Sequence, residues 1–295
     1  MRKQFVITTE SILEQDKNTV LLLGDISVWG FRQAFEKYSD RVYNIGILEQ
    51  STVSLASGLA MTGFIPVVHT ITPFLIERAY EQLKNDFGYQ KLGGNFISIG
   101  ASYDYASLGC THHCPADIGI LKYIPGMEIV LPGTAKEFDS LFRQAYTNGK
   151  PTYYRLSEYT NDTDCDVIFG KANIIKKGEL ATVIAVGTTL NIVLEATKDL
   201  DVTVLYYTSI SPFDTQVLQE NCDSGKILLC EPYYRGVLST EIMDAMFPKQ
   251  IILDCVGVPL NFLTNYGKKE EHDQAIGLTA VDVKEKLDNL LSISI

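Results

Sequence analysis

Short β-rich runs alternate with segments of helical periodicity along almost the whole chain, and this alternation most restricts the fold. The apolar run TVLLLGD precedes the helical segment GFRQAFEKY, and RVYNIG precedes a helical segment that starts at Glu49. Strands that read as continuous apolar runs are typical of parallel sheets, because helices cover both of their faces. The sequence therefore predicts an α/β protein with mostly parallel sheets flanked by helices.

A change in composition divides this pattern into two parts. After Ser157 the chain becomes polar and loses its periodicity in EYTNDTDCDVIFGKANIIKKGE, and a second alternating series follows from LATVIAVG. The 295 residues, 46% of them hydrophobic, are enough for about two domains with their own cores. We predict a first domain at 1–160, a linker at 161–178 and a second domain at 179–295.

The charge balance and the cysteines limit the class of protein. The chain has 36 acidic and 25 basic residues, a formal net charge of −11 and no Lys/Arg-rich run, so we expect neither nucleic acid nor an anionic membrane as a partner. The amino terminus lacks the apolar stretch of a signal peptide, and the apolar segment 180–194 is interrupted by Thr, Gly and Asn. The six scattered cysteines indicate reduced thiols in a cytoplasmic protein.

One carboxylate, Glu49, stands between an apolar run and a helix of small and apolar residues in NIGILEQSTVSLASGLAMTG. A glutamate in the first turn of a helix is favoured by the helix dipole and is ordinarily solvated. A buried carboxylate would instead be costly unless it had a function. The spacing alone leaves both interpretations open.

Two adjacent histidines lie between two cysteines in LGCTHHCPAD. Cys110, His112, His113 and Cys114 are zinc-ligand types, but four ligands in five consecutive residues do not easily converge on a tetrahedral centre, and no second cluster completes them. We therefore predict no metal site. The loop either presents imidazole to a ligand at the carboxyl edge of the sheet or holds histidines that bond to the local backbone.

Arg155 ends a predicted buried strand in PTYYRLSE. A guanidinium there can clamp a phosphate or carboxylate with two hydrogen bonds. A structural ion pair is the commoner explanation for a single arginine, and the sequence does not decide between them.

Three segments together carry a family resemblance: NIGILEQSTVSLASGLAMTGFIPVV, FLIERAYEQLKND and GCTHHCPADIGILKYIPGMEIVLPG. They resemble the pyrimidine-binding domain of transketolases and 1-deoxyxylulose-5-phosphate synthases, from about residue 21 to residue 157. The remainder resembles the transketolase carboxyl-terminal domain. The resemblance implies the two-domain fold of thiamine diphosphate enzymes.

The resemblance assigns cofactor roles to particular residues. Glu49 matches the family's thiamine-activating glutamate, a carboxyl group that stays protonated, hydrogen-bonds a pyrimidine ring nitrogen of thiamine diphosphate and favours the reactive imino tautomer. Phe74 falls where the family stacks an aromatic ring on the aminopyrimidine, although the neighbouring aromatic position is Ile71 here. Asp25, at the end of the first strand, matches an acidic residue that approaches the cofactor or the dimer interface in relatives, and Ile47, in the GILEQ motif, matches a position close to the cofactor.

Substrate roles are implied in the same way. His112 matches the family's substrate-facing histidine, and His113 follows it as in many relatives, so both are expected to transfer protons to and from the substrate. Arg155 resembles the arginine that holds a sugar phosphate. Arg78 matches a residue near that site in the deoxyxylulose phosphate branch.

The chain departs from the family at sugar-contact positions. Leu108 and Gly109 stand where relatives show Asp-Gly, and Gly100 or Ala101 stands where they show an upstream His or Arg. We expect an unusual donor, with Asp104 as a substitute contact to the sugar.

The motif that holds Mg²⁺ against the cofactor's diphosphate, Gly-Asp-Gly with a downstream Asn, does not occur, since Gly24-Asp25 continues as Ile-Ser. The chain thus resembles the carboxyl-terminal subunit of a split transketolase. The resemblance implies an N-terminal transketolase-like partner subunit that carries the diphosphate-binding domain and most of the Mg²⁺ contacts, in an assembly of two copies of each.

Three functions remain open. The first is transfer of a two-carbon ketol unit between sugars, sugar phosphates or related carbonyl compounds. The second is decarboxylation of pyruvate by an acyloin or deoxyxylulose-type synthase subunit. The third is a non-catalytic subunit that retains the fold.

Overall fold

The computed structural model describes residues 1–293, which form two sheets flanked by helices. The strands, in chain order, are β1 (Thr19–Leu23), β2 (Val42–Asn44), β3 (Ile65–Ile71), β4 (Gly94–Ile99), β5 (Glu128–Val130), β6 (Pro151–Arg155), β7 (Ala172–Lys176), β8 (Thr182–Val186), β9 (Thr203–Tyr207), β10 (Ser209–Ser211), β11 (Lys226–Tyr234) and β12 (Ile252–Val258).

The helices cover both faces of these sheets. They are α1 (Arg2–Gln15), α2 (Arg32–Lys37), α3 (Glu49–Met61), α4 (Tyr80–Gln82), α5 (Asp117–Leu121), α6 (Ala135–Ala145), α7 (Leu190–Thr197), α8 (Thr215–Glu220), α9 (Ser239–Met246), α10 (Lys269–Ile276) and α11 (Ala280–Ser292). Two π-helical segments, Phe74–Arg78 and Leu83–Tyr89, flank α4. Within residues 1–293 no helix is both long enough and apolar enough to cross a membrane.

The first sheet has the strand order β10-β5-β6-β4-β3-β1-β2. Strands β1 to β6 pair in parallel, and β1, β4 and β6 are buried along their whole length. Parallel pairing brings the carboxyl ends of these strands to one edge. The predicted α/β class, with mostly parallel sheets, is confirmed.

The second sheet has the order β12-β11-β8-β9-β7, in which only β7 runs antiparallel. Strand β7 lies inside the segment 161–178 that the composition predicts to be a linker, so residues 172–176 belong to this sheet. The strand is an edge strand and only half-buried. It therefore lacks the continuous apolar run of a central strand.

The two domains share a sheet and a buried polar contact. Strand β10, which follows β9 of the second sheet, pairs antiparallel with β5 of the first. The Tyr206 hydroxyl donates to Glu137 Oε2 at 2.8 Å across the domain boundary. Burial raises the pKa of Glu137. These contacts attach the second domain to the first along the side of β5.

A buried histidine links three elements of the first domain. His69 on β3 is completely buried, with Nδ1 at 2.8 Å from the Ile97 carbonyl and Nε2 at 2.9 Å from Ser27 Oγ. Ser27 Oγ also accepts a hydrogen bond from Arg2 Nε at 3.0 Å. The geometry fits a neutral imidazole that donates from Nδ1 and accepts at Nε2. Burial lowers its pKa to about 3.

This histidine should make the fold sensitive to acid. The unfolded chain protonates His69 below about pH 6.5 and the folded chain only near pH 3, so the His69 contribution is present above pH 6.5 and is lost as the pH falls, by up to about 5 kcal/mol at pH 3. We expect His69→Gln to flatten the fall of the unfolding free energy between pH 6.5 and 4.5. Urea unfolding at several pH values measures this, with His112→Gln as the matched control. An equally steep fall in both variants would contradict the assignment.

Candidate active site

The carboxyl end of β2 leads, through residues 45–48, to Glu49, the first residue of α3. Its side chain is only 2% exposed, so it is not an ordinary solvated first-turn glutamate. Oε2 accepts a hydrogen bond from Arg78 Nη1 at 2.8 Å, whereas Oε1 is buried without a hydrogen-bond partner. A buried acceptor without a partner costs about 1–3 kcal/mol. An unpaired carboxyl oxygen in this place is available to a ligand, as an acceptor or, when protonated, as a donor.

Arg78, Phe74 and His112 form a row of contacts that starts at this carboxyl group. Phe74 and Arg78 lie at the two ends of one π-helical segment, and the Arg78 guanidinium carbon is 4.2 Å from the centroid of the Phe74 ring. The His112 ring meets the Phe74 ring edge to face, with centroids 5.3 Å apart. The structure therefore brings Glu49, Arg78, Phe74 and His112 into one continuous group. Irregular π-helical turns are frequent at functional sites.

The residues present fit the pyrimidine half of thiamine diphosphate. Glu49 Oε1 is a buried carboxyl oxygen without a partner in the protein, where a proton can be shared with a ring nitrogen, and Phe74 supplies an aromatic ring next to Arg78, the partner of Glu49. Among residues 1–293, no group of three or more His, Cys, Asp or Glu side chains is placed to hold a metal ion. The fit therefore concerns the pyrimidine and not the Mg²⁺-bound diphosphate.

Arg78 lies closer to Glu49 than its implied substrate role requires. Its guanidinium bonds the carboxyl group whose other oxygen is free, and its side chain is 41% exposed. Arg78 therefore reaches the buried carboxyl group from a position that is itself open to solvent.

Asp25 and Ile47 lie at the same edge of the sheet. Asp25 has a left-handed backbone, with φ of 58°, and its carboxylate accepts from Asn44 Nδ2 at 3.0 Å. Such a backbone is strained for a residue other than glycine and often marks a functional loop. Ile47, and Trp29 in the loop that follows β1, are 65% and 80% exposed. This edge therefore combines the buried Glu49 with exposed apolar side chains.

The two adjacent histidines have different surroundings. His113 is 7% exposed, and its ring centroid is 5.6 Å from that of His272 on α10 and 6.5 Å from that of Tyr103. Neither ring nitrogen has a hydrogen-bond partner, and burial, with His272 adding to it, lowers the pKa of His113. In this arrangement His112 contacts Phe74, whereas His113 packs into the domain interface.

Arg155 is buried in an ion pair. Its Nε is 2.7 Å from Asp117 Oδ2 and its Nη2 is 2.6 Å from Ser102 Oγ, while the guanidinium lies 5.6 Å from the centroid of the Tyr233 ring. Both members of the ion pair are almost inaccessible, at 3% and 0% of their side-chain surface. A structural ion pair, the commoner of the two alternatives, describes this geometry.

Asp104 bonds to the protein at both carboxylate oxygens. It accepts hydrogen bonds from the Ala101 and Glu158 amides and from Ser157 Oγ at 2.9–3.1 Å. Burial raises the pKa of this carboxyl group to about 6. Asp104 and Arg155 line one cavity of about 50 Å³ between the domains. That volume holds a few water molecules and is too small for a sugar phosphate.

Two residues of this region carry no signal in the local sequence. Tyr103 and His272 lie 5.5 Å apart between ring centroids, one in the loop after β4 and the other on α10. Only the folded chain shows that the second domain contacts the loop that carries His112.

The fold combines two α/β domains with a buried, half-paired glutamate at the carboxyl edge of a parallel sheet. Residues 1–161 match the family of the transketolase pyrimidine binding domain, and residues 170–283 match that of the transketolase C-terminal domain. The chain therefore belongs to the transketolase family. The resemblance carried by the three sequence segments is confirmed.

Individual relatives agree with this assignment. The chain is 34% identical over 291 residues to a 33.6 kDa protein in the fasciation locus of Rhodococcoides fascians, covering 97% of this chain and 93% of the relative. It is 28% identical to one of the subunits of the apulose-4-phosphate transketolase of Phocaeicola vulgatus, covering 88% of this chain and 87% of the relative.

A solved structure shares the complete fold. It is described as a split gene transketolase, inactive beta4 tetramer, and it superposes with a TM-score of 0.88 at 24% sequence identity. The match covers 100% of this chain and 98% of the other. Both domains and their arrangement thus occur in another single chain of almost the same extent.

Proposed function

We propose that the chain is the pyrimidine-binding subunit of a transketolase-type enzyme that transfers a two-carbon ketol unit between sugars, sugar phosphates or related carbonyl compounds. The observation that carries the proposal is the buried, unpaired Oε1 of Glu49. Its position in one group with Phe74 and His112 suits an aminopyrimidine ring. Family membership supports the same reaction class.

Each residue of the site has a distinct task in this reaction. Thiamine diphosphate supplies, when bound, the electron sink that a two-carbon transfer needs. Glu49 holds a proton at Oε1 for a ring nitrogen, and Phe74 orients the ring by contact with its face. His112, which lies against Phe74, gives a proton to and takes a proton from the oxygen of the substrate.

The other half of the site belongs, in our proposal, to a separate subunit that carries the diphosphate-binding domain and the Mg²⁺ ligands. Support comes from the Phocaeicola vulgatus relative, which is itself named as one subunit of a transketolase, and from the split gene transketolase of the same extent. The apolar side chains of Trp29, Ile47 and Leu48 are 80%, 65% and 56% exposed at the edge of the sheet where Glu49 lies. Clustered exposed apolar residues mark interaction surfaces. We propose an assembly of two copies of each subunit.

Trp29, the only tryptophan of the chain, reports on this docking. We expect its ¹⁹F signal in a 5-fluorotryptophan-labelled chain to shift and broaden when the unlabelled partner is added, because the partner removes water from the indole. The double variant Trp29→Phe/Tyr123→Trp is the control, since Tyr123 is 83% exposed at the end of α5. A partner that binds but leaves the Trp29 signal unchanged would place the docking surface elsewhere.

Cofactor binding tests the proposal as a whole. The partner to use is a protein of similar length that is encoded beside this chain and carries Gly-Asp-Gly with a downstream Asn. Calorimetric titration of thiamine diphosphate with Mg²⁺ should show binding to the mixture and none to this chain alone. A stable mixture that binds no cofactor would instead support a non-catalytic subunit.

Donor use separates the two enzymatic alternatives. Decarboxylation of pyruvate is the second candidate reaction, because Arg78 lies beside Glu49 and matches a residue of the deoxyxylulose phosphate branch. Reconstituted enzyme should consume hydroxypyruvate or a ketose phosphate by ketol transfer. Release of carbon dioxide from pyruvate, with no ketol transfer, would favour the decarboxylating synthase.

A further inference from the structure

The segment 100–116 between β4 and α5, hereafter the His112 loop, has a fixed but strained shape. The Cys114 amide donates to the Ser102 carbonyl at 2.6 Å and closes the loop as an isolated bridge. Ser102 has a left-handed backbone, with φ of 51°. A backbone of this kind costs about 1–3 kcal/mol and persists only where the surroundings hold it. Other parts of the protein must therefore determine this conformation.

Both ends of the His112 loop are attached to the second domain. Ser102 Oγ donates a hydrogen bond to the carbonyl of Pro232, near the carboxyl end of β11. The Pro115 carbonyl accepts from the Tyr234 amide at 3.1 Å, in the same strand. Both ends of the loop are thus hydrogen-bonded to β11, although the loop lies in the first domain by sequence.

Helix α10 contacts two further residues of the loop, Tyr103 and His113. The Tyr103 hydroxyl donates to Asp273 Oδ1 at 2.5 Å, and Asp273 Oδ2 accepts from Lys269 at 2.6 Å. His272 packs edge to face on both Tyr103 and His113, at centroid distances of 5.5 Å and 5.6 Å. The residues Tyr103, His113 and His272 are buried, with 1%, 7% and 5% of their surface exposed. At the tip of the loop Leu108, Cys110 and Thr111 are exposed, while the buried Gly109 lies against the ring of Tyr266.

We propose that Asp273 and His272 of α10 are positioning residues, which hold the His112 loop through Tyr103 and His113 so that His112 lies against Phe74. The proposal rests on the proposed function for the task of His112, but the contacts themselves do not depend on a cofactor. The second domain then acts on the active site through the loop that carries His112.

The size of the effect follows from how little holds His112 itself. Its ring meets the rings of Phe74 and Tyr105 edge to face, at 5.3 Å and 6.4 Å between centroids, and among residues 1–293 its one side-chain hydrogen bond is to the neighbouring Thr111, at 3.0 Å. A displacement of about 1 Å in a catalytic group can lower a rate by about 100-fold. Loss of the α10 contacts should therefore reduce kcat without changing the environment of Glu49.

Nuclear magnetic resonance of the histidine rings tests the positioning without partner or cofactor, because the chain has only four histidines. In Tyr103→Phe and Asp273→Ala we expect the His112 signals to move and the pKa of His113, which burial holds below its usual value, to rise. Asp273→Asn keeps an acceptor for the Tyr103 hydroxyl and should show a smaller change. Tyr207→Phe is the control, because it removes a buried hydroxyl bond of 2.9 Å inside the second domain.

Kinetics of the reconstituted enzyme complete the test. We expect Tyr103→Phe and Asp273→Ala to lower kcat by about 10-fold or more, with exchange of the cofactor C2 proton unchanged because that step uses Glu49. Unmoved His112 signals in both variants, or moved signals with unaltered kcat, would overturn the positioning role. Failure of the wild-type mixture to bind thiamine diphosphate is a separate result, which refutes the proposed function and leaves the positioning to be decided by the ring signals.

Discussion

Replacing Glu49 by glutamine is expected to lower the turnover of the reconstituted enzyme by at least about 100-fold, within the range found for general acid–base groups. Glutamine has nearly the same shape and still offers Arg78 an acceptor oxygen in place of the 2.8 Å contact. Its amide cannot give a proton to a ring nitrogen and take it back. The measurement is kcat together with the rate at which the C2 proton of bound thiamine diphosphate exchanges with deuterated water. Both rates should fall together.

Assembly and folding should be unaffected by this change. Sedimentation of the variant with its partner should give the wild-type complex, and thiamine diphosphate should still bind. Glu81→Gln is the matched control, since this glutamate is exposed on the same helical stretch as Arg78. Wild-type turnover in Glu49→Gln would remove the carboxyl group from the mechanism, whereas a lost complex would assign it a structural role.

The alternation of strands and helices could be predicted because each element buries its own apolar residues. Strands β1, β4 and β6, for example, are buried at every position. Helix α1 could not be predicted in this way, and its polar residues explain why: it packs on α6 through pairs such as Thr8 and Asp139, joined at 2.5 Å. A helix of this kind has a weak apolar stripe, so periodicity does not mark it.

The site could be predicted only in part, since its decisive contacts are long-range. The spacing around Glu49 left open whether it is solvated or buried, because its partner Arg78 is 29 residues away. The contact between Tyr103 and Asp273 joins residues 170 positions apart. No local pattern in one sequence encodes such a pair. The sequence supplied the residue types, whereas the fold decides which of them meet.

For Arg155, too, the sequence did not decide between a phosphate clamp and an ion pair, because its partner Asp117 is distant in the chain. The buried ion pair that the structure shows predicts a large effect on stability. We expect Arg155→Met to lower the free energy of unfolding by about 3–5 kcal/mol, because it leaves a charged carboxylate buried without its cation. Asp117 is completely buried, and its Oδ1 already has no partner. Urea unfolding followed by circular dichroism measures the loss. A change below about 1 kcal/mol would contradict the structural role.

The double variant Arg155→Met/Asp117→Leu separates this role from a phosphate clamp. Removing both charges should restore most of the lost stability, because an apolar pair of similar size often replaces a buried ion pair at little cost. The neighbouring hydroxyls keep partners, since Tyr153 still bonds Ser98 at 2.8 Å and Ser102 still bonds the Pro232 carbonyl. If Arg155 acts only on the fold, this double variant should retain the wild-type KM for a ketose phosphate. A KM raised about 10-fold for the phosphorylated donor but not for hydroxypyruvate would return Arg155 to the substrate site, and would require the domain interface to open around it.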